Sequence, residues 1–126
     1  MNLPYKQIAL KHHGAIVSAH IRQRKLDEPG IELLGDELTQ LIEQAGCRQL
    51  VLSLGPGTLE CLYSVFMAKL VMVHRRLHDH QGALILCDVT PEVMSVFEAC
   101  RLQNYFLFSP DVPSAVATLN QKTNNS

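Results

Sequence analysis

Hydrophobic residues recur along this chain with two periods. Residues 8–12 and 15–22 form two short segments, and in the second Ala15, Val17, Ala19 and Ile21 alternate with Ile16, Ser18, His20 and Arg22. A period of two sends successive side chains to opposite faces, so both segments predict strands, with His13-Gly14 as the hairpin turn between them. After the polar stretch 23–28 and Pro29-Gly30, the positions Ile31, Leu34, Leu38, Leu41, Ile42 and Ala45 fall at helical spacing, and Gly46 stands where a C-terminal cap belongs. This stretch predicts an amphipathic helix.

Leu50-Val51-Leu52-Ser53-Leu54 and Ala83-Leu84-Ile85-Leu86-Cys87 are nearly unbroken apolar runs, as expected of strands covered on both faces. The stretch between them, 64–79, is long enough for the helical crossover that parallel neighbours require. Thr90 as N-cap, Pro91 at the first helical position and Glu92 in the first turn predict a third helix, with Val93, Met94, Phe97 and Cys100 as its buried stripe. Phe106-Leu107-Phe108 predicts a short strand and 113–119 a last helix. The polar stretch 120–126 predicts a disordered tail. The order of elements predicts a single α/β domain over residues 8–119, preceded by a lead-in at 1–7. Its mixed sheet has about five strands, an N-terminal antiparallel hairpin with the remainder mostly parallel, and it is joined by about four helices.

Composition narrows the function classes. With 126 residues, 47% hydrophobic and 18% charged, the chain is one domain's worth and too apolar for disorder. It has no apolar run of the length that spans a bilayer. Eleven Lys+Arg against 12 Asp+Glu leave a net charge of -1, which argues against nucleic acid and acidic membrane surfaces as partners. Cys47, Cys61, Cys87 and Cys100 contain no close pair of the zinc or redox type, so they read as reduced core residues. With no apolar leader at the start, they predict a soluble, cytoplasmic protein.

Candidate chemistry concentrates around Ser64. It follows the turn-rich Gly55-Pro56-Gly57-Thr58 and opens an apolar helix, whose unpaired first amides and positive dipole end would accommodate a phosphate. The alternative role for Ser64 is that of a plain N-cap. The segment 65–73 is apolar on every helical face except at Lys69, so part of Leu62, Tyr63, Val65, Phe66 and Met67 is expected to remain exposed as a partner surface. His74, His78 and His80 have metal-ligand spacing, but they sit among Arg75 and Arg76 at a helix end, and a solvated terminus is the default reading. There is no nucleophile elbow, P-loop or dinucleotide fingerprint, and no cofactor is implied; the domain reads as non-catalytic. An edge strand at 8–12 or the apolar second helix offers a surface for a homo-oligomer.

Several stretches together resemble the STAS domain of bacterial anti-sigma factor antagonists over roughly residues 8–119. They are Leu26-Asp27-Glu28, Gln49-Leu50-Val51-Leu52-Ser53-Leu54, His74-Arg75-Arg76-Leu77, and Thr90-Pro91-Glu92-Val93 with Val96-Phe97-Glu98 and Leu102. Glu60-x-Leu62-x-Ser64 before a Lys69-Leu70 helix is similar to a stand-alone subgroup. The resemblance implies a non-catalytic partner switch in signal transduction and transcription regulation. Such a switch binds an anti-sigma factor that is also a serine kinase, and is phosphorylated at a residue matching Ser64. Many members carry Asp before that residue and Ser-Gly after it, where this chain has Tyr63 and Val65-Phe66. That difference leaves room for a second reading, a phosphorylation-independent STAS module that binds a nucleotide or small ligand or acts as a scaffold.

Overall fold

The structure is a computed structural model that describes residues 5–124. Two adjacent strands, β1 (Ile8–His13) and β2 (Ile16–Ile21), pair antiparallel, with His13 opposite Ile16. The turn is Gly14-Ala15 and not His13-Gly14. Gly14 takes φ 69°, and a left-handed first residue followed by an ordinary one is the turn geometry that matches strand twist. The short β3 (Lys25–Leu26) leads into α1 (Glu28–Glu43), where the Asp27 side chain caps the Gly30 N–H. Then follow β4 (Gln49–Ser53), β5 (Glu60–Cys61), α2 (Tyr63–Asp79), β6 (Ala83–Cys87), α3 (Pro91–Ala99), β7 (Leu107–Ser109) and α4 (Val112–Asn124).

The main sheet has five strands in the order β1-β2-β4-β6-β7, antiparallel at the hairpin and parallel elsewhere, as the element order predicts. Alternation along the strands divides two cores. Val17, Ala19, Leu50, Leu52, Leu84 and Leu86 point into the larger one, beneath α1, α2 and α3. Ile16, Val51, Ile85 and Cys87 point the other way, onto Ala115 and Leu119 of α4. Leu50, Val51 and Leu52 are all completely buried, which explains why no polar residue interrupts that run.

Three expectations need correction. The last helix does not stop at Leu119: residues 120–124, expected in a disordered tail, continue it, because an established helix gains a hydrogen bond with each residue added even where no apolar stripe marks its course. Residues 125–126 of that tail and 1–4 of the lead-in lie outside the described residues. The pair β3–β5 went unseen because two residues are too few to show a period. Only Cys47 and Cys87 are core residues, and burial pushes their thiols up to about 11 and about 12. Cys61 is half-buried, Cys100 is exposed, and all four are free thiols.

Lys6 and Gln7 are tied down by Glu37, a carboxylate on the buried face of α1. It accepts the Lys6 N–H at 2.7 Å and the Gln7 N–H at 2.8 Å, so the charge is satisfied by backbone donors. Phe97 is fully buried and meets Phe106 and Phe108 edge-on, so Phe97→Ala should lower unfolding free energy by about 3–5 kcal/mol in urea titration. A loss under about 1 kcal/mol would contradict that packing. Glu37→Gln places an amide where two donors converge and should cost about 1.5–3 kcal/mol, with early loss of hydrogen-exchange protection at Lys6 and Gln7.

Candidate functional site

The C-terminal ends of the parallel strands hold the loop 54–59 in place before α2 begins. The Arg24 guanidinium reaches across from the end of β2 and donates to the carbonyls of Ile21 at 2.8 Å, Leu54 at 2.7 Å and Gly57 at 3.4 Å. Burial lowers its pKa from the ordinary value. Ser53 donates to the Asp88 carboxylate at 2.6 Å, and Thr58 donates to the Thr90 hydroxyl, which itself caps α3. A side chain at Gly55 would stand 2.8 Å from the Asp88 Cβ and 3.1 Å from its carbonyl oxygen, so this approach needs glycine.

Beyond this loop, Glu60-Cys61 pairs with Lys25-Leu26 and the chain enters α2 at Leu62. Leu62 is the N-cap, has no side chain able to cap, and is 52% exposed. Ser64 is therefore the second helical residue and not the N-cap; it is exposed, and its hydroxyl bonds to no other described residue. The first bond of the helix runs from the Phe66 N–H to the Leu62 carbonyl, which leaves the amides of Tyr63, Ser64 and Val65 without intrahelical acceptors. No acidic side chain occupies this first turn. The Tyr63 hydroxyl donates to the Leu59 carbonyl. Burial first, then the charges of Cys61, Glu60 and Glu92, raise its pKa.

Of the candidate partner residues, Leu62, Tyr63 and Val65 keep exposed surface around Ser64. Phe66 and Met67 do not: both are buried in the larger core, because α1 and the sheet cover that side of α2. Arg24, Ser53 and Asp88, which hold the loop, carried no pattern in the sequence beyond the cluster Gly55-Pro56-Gly57. Their convergence depends on strand order.

The histidines do not form one cluster. His74 lies against Tyr105 at 4.6 Å and Phe106 at 5.6 Å between ring centroids, and 6.4 Å from His78. His80 turns instead to α1, where its Nε2 is 3.0 Å from Glu43, which also meets Arg76. Among the described residues no group of three side chains could hold a metal. Burial, and next the neighbouring His78, lower the His74 pKa below its ordinary 6.5. The unfolded chain then binds a proton that the folded one refuses, so the stabilisation is complete above pH 6.5 and is lost as pH falls towards the lowered value. Thermal melts between neutral and mildly acidic pH should show a falling midpoint, and His74→Phe should flatten that slope.

No family model and no curated protein matches this chain. Solved structures do. A serine-to-glutamate variant of RsbS from Moorella thermoacetica superposes with a TM-score of 0.78 at 14% identity, covering 94% of this chain and 99% of that one. An anti-sigma-factor antagonist (STAS) domain protein from Planctomyces limnophilus gives 0.76 at 20% identity, covering 90% and 97%. The Bacillus cell fate determinant SpoIIAA, in its phosphorylated form, gives 0.67 at 17% identity, covering 89% and 98%. Superposition and near-complete mutual coverage agree: this chain has the STAS fold of the anti-sigma factor antagonists.

Proposed function

We propose that the protein is a non-catalytic, cytoplasmic partner switch of bacterial transcription regulation. It binds an anti-sigma factor with serine kinase activity through the surface around Leu62, Tyr63 and Val65, and phosphorylation of Ser64 breaks that complex. The observation that carries the reading is the start of α2. An exposed hydroxyl stands in a first turn that has unpaired amides, no capping side chain and no acidic residue. A phosphate on Ser64 brings about two negative charges to the positive end of the helix and repels an apolar or acidic partner without remodelling the fold. Structures of this fold in a phosphorylated form and with glutamate in place of serine support a modifiable serine. The rigid loop held by Arg24 and Asp88 keeps the site in one position.

The competing reading, a module that binds a nucleotide or small ligand or acts as a scaffold without phosphorylation, is favoured by Tyr63 and Val65-Phe66 in place of the residues common around the family's phosphoacceptor. Two substitutions separate the readings. Ser64→Ala removes no hydrogen bond and no cap, so its stability should stay within about 0.5 kcal/mol of the parent while intact-mass analysis after incubation with candidate anti-sigma kinases shows no added phosphate. Ser64→Asp should keep the fold and gain up to about 1 kcal/mol from the helix dipole, yet weaken partner binding at least about tenfold, or about 1.4 kcal/mol. Labelling that persists in Ser64→Ala, with binding unchanged in Ser64→Asp, would overturn the role of Ser64.

A further inference from the structure

The sheet face that carries α4 is only partly covered. Helix α4 seats Ala115 and Leu119 over Ile16, Val51 and Ile85, and further residues of the same helix, Val112, Val116 and Ala117, stand beside the outer part of the β1–β2 hairpin. Between this row and the hairpin lies a groove of about 800 Å³, within the range of small-molecule sites. One wall is apolar. The other carries Lys11, His13 and His20, three basic side chains with no carboxylate among the groove's lining residues. Lys11 forms no ion pair among the described residues.

A solvated sheet face is the ordinary condition of an antiparallel hairpin, so exposure alone says little. The interior of this groove is different. Ser18 is 7% exposed although it points away from the main core. Its hydroxyl donates towards the Lys11 carbonyl at 3.4 Å and lies 3.0 Å from His13 Nε2. With Ser18 accepting from Nε2–H, the imidazole is held in place with Nδ1 as the free nitrogen. The groove thus pairs a largely apolar wall with a polar wall whose one permanently charged side chain is Lys11.

We propose that this groove binds an amphipathic organic monoanion, a medium-chain fatty carboxylate, with its chain along Val112, Val116 and Ala117 and its carboxylate at Lys11. The one permanent positive charge, that of Lys11, matches one carboxylate, and the apolar wall matches an alkyl chain. The groove lies on the face opposite α2, so its occupancy is independent of the Ser64 reading.

The test is a titration of the full chain with sodium decanoate, below micelle formation, followed by amide chemical shifts. Saturable shifts at Ala9, Ser18 and Val116 are expected. Lys11→Arg should retain binding and Lys11→Glu should weaken it at least tenfold. Ala117→Trp, made at an exposed helix position, should block the groove with the spectrum otherwise preserved. Decyltrimethylammonium, with the same chain and the opposite charge, should not bind there. Equal binding of both amphiphiles, affinity unchanged in Lys11→Glu, or shifts confined to Leu62, Tyr105 and Leu107, the exposed apolar residues elsewhere, would overturn the proposal.

Discussion

Burial of β4 on both faces is the constraint from which the rest of the architecture follows. Leu50, Val51 and Leu52 reach no solvent, and apolar surface of that kind is stabilising only if both sides are covered. One side needs helices bridging β2 to β4 and β4 to β6, and right-handed crossovers put α1 and α2 there together. The other side needs a cover that no crossover supplies, and α4 provides it after the last strand. Removing either layer would expose one row of β4, so the two cores depend on each other through a single strand.

The same arrangement determines where a functional surface can form. Parallel strands end together, and the loops leaving β2, β4 and β6 meet at that end, where Arg24 binds backbone carbonyls from two of them and Ser53 binds Asp88 from the third. Those contacts fix the chain leading to α2, so the first turn of that helix has a defined position although its own residues make few bonds. A helix start without a cap gives up about 1 kcal/mol of local stability. At the N-terminus of α2, that leaves amides unpaired beside an exposed serine.

The two sheet faces are consequently put to different use. The face under α1, α2 and α3 is filled by the larger core. The face under α4 is filled over β4 and β6 and at Ile16 of β2; because one helix cannot span five strands, the hairpin beyond it keeps Ser18 and His20 in positions where a packed sheet would carry apolar residues.

The periodicity of the sequence was enough to determine the hairpin, the central strands, the cap of α3 and the order of elements, because each rests on local spacing or on a single side chain such as Thr90. The position of Ser64 near the start of α2 was likewise legible from the turn-rich stretch before it. Tertiary structure alone decided which apolar residues of α2 are hidden, since Phe66 and Met67 differ from Leu62 only in which neighbour lies above them. It also decided that Leu62 and not Ser64 is the cap, that His80 turns to Glu43 and away from His74, and that α4 continues past Leu119. Each of these depends on contacts between segments distant in the chain, or on a helix continuing without an apolar stripe, and neither leaves a period in the sequence to read.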